Sequence, residues 1–259
     1  MHEHHSVPDA GEFLPLFLFA VLLAVAPYFS AVFLSNKKQR KWPTYRIVFW
    51  CLGAVSIAAA LIGPLADQAH ADFRMHMAVH LLLGMLAPLL IAISRPMTLL
   101  LRTLNVSSAR GVTALLKSGP FRLMSNPITA AFLNIGGLYV LYMTALFHSM
   151  HQSPLVYALV HLHIFLAGYL FTVSIVYFDV TPHRFSFLFR SIVLIIALAG
   201  HKILAKTLYA SPPEGVPRSE AEAGSMLMYY GGDAIDAFLI FFLCLHWYKA
   251  AAKGEASFF

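Results

Sequence analysis

The residues best suited to chemistry in this sequence are two histidines, His76 and His80, near the start of a long apolar segment. Four residues apart on a helix, their imidazoles lie on one face, about 6 Å apart along the axis. This is the spacing of a pair of metal ligands. Because ionisable side chains inside a bilayer are rare and usually functional, their place in a segment apolar enough to span a membrane favours a binding site.

The composition indicates a membrane protein. Of the 259 residues, 59% are hydrophobic and 12% are charged, whereas soluble domains are about half apolar and a quarter charged. The formal net charge of +6 belongs to loops and forms no basic stripe interleaved with aromatic residues, so no nucleic-acid partner is expected. The sequence predicts an all-α, polytopic protein that lies in a lipid bilayer.

Seven apolar segments predict a seven-transmembrane-helix bundle, because each is near the roughly 20 residues that a spanning helix needs. They cover about residues 13–34, 45–63, 75–93, 126–147, 153–178, 186–209 and 226–248. The basic stretch 95–126 is expected to lie on the membrane surface. Three regions are predicted: an extracytoplasmic His-rich tail (1–12), the transmembrane domain (13–250) and a cytoplasmic tail (251–259).

Lysine and arginine are concentrated in alternate connections between these segments, beginning with Lys37, Lys38 and Arg40 in the first. Since cytoplasmic loops are rich in these residues, we predict that the N-terminus lies outside and the C-terminus lies in the cytoplasm. In this topology all of the 13 histidines except His183 and His246 fall on the outer side or in the outer half of the bundle.

Histidines on three predicted helices could meet at similar depth. His161 and His163 lie in the fifth segment and His201 in the sixth; the first two are about 200° apart around a helix, so only one is expected to join a given site. Methionines fall on the same side: Met75, Met77, Met143, Met150, Met226 and Met228. Imidazole with thioether suits copper, particularly Cu(I), while histidine alone would also admit zinc or iron. The alternatives are interhelical hydrogen bonds for single histidines and core packing for single methionines.

Two further sets of residues in the predicted helices have open roles. Asp233 and Asp236 could gate cation entry, pair with Lys202 or Lys206, or lie among lipid headgroups. Four glycines are expected to permit close helix approach: Gly84, Gly136, Gly137 and Gly168.

Several motifs resemble the CtaG-type cytochrome c oxidase assembly factors, the family of caa3-type oxidase assembly. They are MHMAVHLLL at 75–83 with 86–88 and 95–102, HLHIF at 161–165 with 168–171 and 179–182, and AGSMLM at 223–228 with 231–233. The similarity covers about residues 67–247, and the family's later histidine corresponds to His201. Thr172 and Tyr229 stand where the family commonly has tryptophan.

The resemblance implies a bacterial plasma-membrane protein, not an enzyme, that helps to build a haem–copper oxidase and to deliver copper to the CuB centre of subunit I. The residues agree with it, since an outward-facing site could take copper from an extracytoplasmic donor. We therefore predict copper ligands His76, His80, His163 and His201, with His161 as an alternate or supporting group and Met75, Met77 and Met226 as softer transfer ligands. The expected partners are subunit I, the copper donor and the bilayer, and a homodimer is an open possibility.

Two other classes of protein remain open at this point. Paired histidines on facing helices could hold a b-type haem, although haems that carry electrons across a membrane would be expected near both faces. A proton or cation transporter could use Asp233, Asp236 and the outer histidines, although the inner half has few acidic groups to complete a path. A retinal protein is disfavoured because the seventh segment has no lysine before Lys249, and no nucleophile motif or phosphate loop supports an enzyme.

Overall fold

The computed structural model describes residues 10–252, with side chains from residue 14 onward, and this part of the chain is a bundle of helices without strands. The helices are α1 (Ala10–Lys38), α2 (Thr44–Leu61), α3 (Pro64–Ala69), α4 (Phe73–Leu81), a first π turn (Leu82–Leu86), α5 (Ala87–Ser94), α6 (Pro96–Thr103), α7 (Val106–Leu116), α8 (Gly119–Met124), α9 (Pro127–Ala131), a second π turn (Phe132–Gly136), α10 (Gly137–Met143), α11 (Leu146–Gln152), α12 (Pro154–Ile175), α13 (Phe187–Ala210) and α14 (Arg218–Ala252). Six helices in this range are long and apolar enough to cross a membrane, or seven if the bent α9–α11 segment is one span. The predicted all-α, polytopic architecture is confirmed.

The segment that carries His76 and His80 lies at the centre of the bundle. Of its most apolar stretch, 72% of the residues are buried, against 11% for α1 and 28% for α2. Its first part, α4, packs on α14, its π turn packs on α12, and α5 packs on α2. The two histidines are therefore in the core of the protein rather than at its lipid-facing surface.

Pro88 and two glycines explain why this central segment is irregular. Pro88 has no N–H to donate to the carbonyl of Gly84, four residues earlier, and the N–H of Ala87 instead reaches the carbonyl of Leu82, which makes a π turn. The Gly84 carbonyl lies against Gly168 of α12, where an added Cβ would be 2.0 Å from the Gly84 oxygen. Close helix approach is confirmed at both glycines.

The other two glycines differ from each other. A Cβ at Gly137 would lie 2.4 Å from Nε2 of His163, so α10 does approach α12 closely there. The three atoms nearest to an added Cβ at Gly136 all belong to Phe132 of its own helical segment, the closest at 3.6 Å. The prediction of a close interhelical contact is wrong for Gly136.

The fourth predicted span, 126–147, is too long at its end. The helix stops at Met143, and α11 then leaves at an angle of 77°. Thr144 makes this break: its backbone is extended (φ −125°, ψ 175°), and its hydroxyl donates to the Val140 carbonyl and accepts from the N–H of Leu146. The break places α11, with His148 and His151, across one end of the bundle.

The connections at the other end of the bundle also have defined structure. The predicted surface stretch 95–126 forms three short helices, α6 to α8, which begin after Arg95 in the left-handed conformation (φ 57°). Asp179 anchors α6, because its carboxylate accepts from the N–H groups of Met97 at 2.6 Å and Thr98 at 2.8 Å.

Most of the predicted tails, including His2, His4 and His5, lies outside the described residues, and the orientation across the membrane stays a prediction.

Candidate functional site

Two buried histidines, one on α4 and one on α13, lie next to each other. His80 is 3% exposed and His201 is 4% exposed, and their ring centres are 5.9 Å apart with the planes inclined at 28°. Within the described part of the chain, neither ring nitrogen of His80 has a hydrogen-bond partner, and Nε2 of His201 has none either. Buried polar atoms are normally hydrogen-bonded, so these nitrogens are available to a ligand.

The distance between the two rings fits a shared metal ion. An ion about 2.0 Å from an imidazole nitrogen lies roughly 3.1 Å from the ring centre, so two rings that share it are about 5 Å apart in a tetrahedral and about 6 Å apart in a linear arrangement. The 5.9 Å between His80 and His201 is in this range. No three His, Cys, Asp or Glu side chains between residues 14 and 252 converge closely enough to hold an ion together, so the arrangement offers two imidazole ligands.

A small inner cavity adjoins this pair of histidines. With a volume of about 20 Å³, it has room for about one water molecule. Its polar lining consists of His80, His201, Asp236, Thr172 and Asn134, and both π turns contribute to its wall. Asp236 is 5% exposed, so the cavity combines two imidazoles and a carboxylate from three different helices.

His76 and His161 are buried nearby, each held by one hydrogen bond. Nε2 of His76 is 3.0 Å from the hydroxyl of Tyr142, and that hydroxyl also approaches the sulfur of Met77 at 3.9 Å. Nδ1 of His161 is 2.9 Å from the carbonyl oxygen of Tyr157. Because a carbonyl can only accept, Nδ1 of His161 carries the proton and Nε2 is left as a potential metal ligand, as is usual for metal-binding histidines.

Residues 26–250 match the family model described as cytochrome c oxidase caa3 assembly factor (Caa3_CtaG). The chain belongs to this family. It is also similar to an uncharacterized protein of Mycobacterium leprae (strain TN), with 28% identity over 189 residues, 70% of this chain and 28% of that protein. A second relative, from Mycobacterium bovis, is 29% identical over 171 residues, 63% of this chain and 26% of that protein. The chain thus spans less than a third of the length of these relatives, and no solved structure matches it.

In this member of the caa3 assembly factor family, three of the predicted ligands lie away from the buried histidines. His163 is exposed and its Nε2 is 3.1 Å from the carbonyl oxygen of Leu133. Met226 is 50% exposed and lines a separate surface pocket, and Met75 packs in an apolar cluster with Leu83. His161 and His163, about 200° apart around the helix, have different surroundings, since His161 is buried and His163 is exposed.

The structure also brings together residues that the predicted ligand set left out. Met150 and Met228 are fully buried in the same cluster as Met77 and Tyr142.

Asp233 forms an ion pair with Lys202 at 2.8 Å, whereas Asp236, one turn later, points into the inner cavity. The two aspartates therefore have different surroundings, and pairing with Lys202 is the correct alternative for Asp233.

Proposed function

We propose that this chain helps to assemble a caa3-type cytochrome c oxidase by binding copper at its buried histidines and passing it to the CuB centre of subunit I. Membership of the assembly factor family supports the assembly role. The observation that carries the copper step is the pair His80 and His201, buried, without partners for three nitrogens and 5.9 Å apart. Imidazole suits copper as well as zinc, iron and nickel, and the thioether of Met77 on the same helix as His80 favours copper.

The ligands differ in how directly they reach the ion. His80 and His201 hold it, and His76, His161 and Met77 are the next donors along α4 and α12. His163, Met75 and Met226 are not among the proposed ligands, because their side chains lie elsewhere.

The carboxylate of Asp236 offsets the charge of the ion. A cation in an apolar interior is strongly disfavoured unless an opposite charge or ligands compensate it, and the carboxyl group of Asp236, which lines the same cavity as His80 and His201, would supply a negative charge when it ionises. The small number of strong ligands also favours transfer, since an ion held by two imidazoles can be taken over by a partner that offers more. CuB is itself a histidine site within a membrane protein, so handover inside the bilayer avoids moving a bare ion through hydrocarbon.

The b-type haem alternative would require the helices around the inner cavity to separate. A volume of about 20 Å³ admits about one water molecule, far less than a porphyrin ring requires. A non-enzymatic role with subunit I as the partner, in the bacterial plasma membrane and with the histidine-rich end outside, is the remaining part of the proposal.

Copper binding by the purified full-length protein in detergent tests this function. We expect a titration with Cu(I) against a chromogenic chelator to show that His80→Ala/His201→Ala loses one copper ion per chain. His163→Ala is the matched control and should retain it, because its side chain is exposed and faces away. A double variant that keeps the wild-type helical content and all of its copper would overturn the proposal.

A deletion strain tests the assembly role separately. The oxidase spectrum and activity are measured with and without added copper. Haem present with low activity, restored by copper, is the expected result for a protein that supplies CuB. Loss of the whole oxidase regardless of copper would show a general scaffolding role instead.

A further inference from the structure

A second group of histidines lines an open cavity at the end of the bundle where α11 crosses it. This cavity, called the vestibule here, has a volume of about 340 Å³. Its imidazole and carboxylate groups belong to His70, His76, His148, His151, Glu214 and Glu220. They come from the α3–α4 connection, the start of α4, the short helix α11, and the segment leading into α14 with its first turn.

The vestibule rings are spaced like rings that share a metal ion. The ring centres of His70 and His151 are 6.2 Å apart, and those of His76 and His151 are 6.3 Å apart. Both distances are close to the roughly 6 Å expected for two imidazoles on either side of one ion. Nδ1 of His151 is 2.8 Å from the carbonyl oxygen of Phe147, which fixes the proton on Nδ1 and leaves Nε2 for a ligand.

His76 connects the vestibule with the buried pair. Its ring is 3% exposed yet lines the vestibule, and His80 lies one turn further along the same face of α4. A second line of rings runs beside it, from His70 to Tyr157 at 4.8 Å and from Tyr157 to His161 at 4.0 Å. His76 and His80 therefore join the two cavities along α4, and His70, Tyr157 and His161 form a neighbouring row of rings.

The charges around the vestibule favour a cation. Asp72 caps α4 and pairs with Arg74, whose guanidinium lowers the pKa of that carboxyl below its usual range. Glu220 accepts from the N–H of Phe73 at 3.1 Å, and Glu214 is at the rim. These carboxylates surround the imidazoles, and Arg74 is engaged by Asp72.

We propose that the vestibule is a second copper site, which receives the ion before it reaches His80 and His201. This inference rests on the proposed function. Since no three ligands of the described chain converge in the present arrangement, the vestibule holds the ion through pairs of imidazoles. Binding by two ligands is weaker than binding by a complete set of ligands. Weak binding is what a receiving site needs if it is to release its ion to the buried pair.

The test compares two double variants of the full-length protein in detergent, titrated with Cu(I) bound to a chromogenic chelator. We expect two copper ions per chain in the wild type and one in each of His70→Ala/His151→Ala and His80→Ala/His201→Ala. In the vestibule variant the remaining ion should load at least tenfold more slowly, measured as the loss of chelator–copper absorbance. His163→Ala is the control and should behave as the wild type in both number and rate.

The outcomes separate the two proposals. If the vestibule variant keeps the wild-type copper number and loading rate while the buried-pair variant loses an ion, the vestibule inference is wrong and the proposed function stands. If the vestibule variant loses an ion and the buried-pair variant loses none, the proposed function is wrong, and the vestibule binds copper without passing it to His80 and His201. Both variants are checked for wild-type helical content and thermal midpoint, and His70 and His151 are exposed, so their replacement leaves the core intact.

Discussion

Gly168→Ala should reveal how tightly the bundle is built around the histidines. An alanine Cβ at this position would lie 2.0 Å from the backbone oxygen of Gly84. Ordinary van der Waals contact begins near 3.4 Å, so α12 and the first π turn must separate by about 1.4 Å. The obstacle is backbone and not a flexible side chain, and it cannot rotate out of the way.

Two effects of opposite sign decide the result. Replacing glycine by alanine within a helix stabilises it by about 0.5–1 kcal/mol. Overpacking a close contact destabilises a protein by about 1–3 kcal/mol, and a contact of backbone with Cβ belongs at the upper end of that range. We therefore expect a net loss of roughly 1–2 kcal/mol in the free energy of unfolding.

Thermal unfolding in detergent, followed by circular dichroism, measures this loss. Gly111→Ala is the matched control, because Gly111 lies in α7 and an added Cβ there would meet nothing within 4 Å. The control should have a midpoint equal to or slightly above that of the wild type. An equal or higher midpoint for Gly168→Ala would refute the close packing of α12 against the π turn.

Three further substitutions test single contacts. Tyr142→Phe leaves the buried Nε2 of His76 without its partner and should cost about 1–3 kcal/mol of stability; an unchanged thermal midpoint would contradict this. Asp179→Ala removes the acceptor for two backbone N–H groups at the start of α6 and should cost about 0.5–2 kcal/mol, with part of the loss recovered in Asp179→Asn. Because Arg74 lowers the pKa of Asp72, this carboxylate stabilises the fold at neutral pH, and the contribution is lost as the pH falls below about 4 and through the lowered value. The midpoint of Asp72→Asn should then fall less steeply over that pH range than that of the wild type.

The position of the central helix could be predicted from the sequence, because His76 and His80 in an apolar segment demand a buried environment. The side of α12 that faces the site could not be read from the histidines alone, since His161 and His163 are equally good ligands on opposite faces. A signal was present in Gly168. It lies seven residues after His161, nearly two full turns, and so on the same face, whereas His163 is five residues away and points elsewhere.

The same reasoning separates the methionines of α14. Gly224, Met228, Gly232 and Asp236 follow one another at intervals of four residues and are all buried. Met226 is two residues from Gly224, about 200° around the helix, and is exposed. Glycines that fit against a neighbouring element therefore mark the inward face, and the polar residue at the end of that series, Asp236, is the one that reaches the inner cavity.

The π turns could not be predicted from the spacing of apolar residues, because helical periodicity treats every turn as regular. A π turn adds a residue to the helix and rotates the next helical segment, so the residues before and after the turn face different neighbours. In the central segment α4 packs on α14 while α5, beyond the turn, packs on α2. Pro88 is the chemical cause, since it withholds the N–H that Gly84 would otherwise receive. The freed carbonyl meets Gly168, and the two π turns lie in the wall of the same cavity as His80 and His201. In the central segment, Pro88 thus opens the helix next to the histidines, and Gly168 on α12 leaves room for the carbonyl of Gly84.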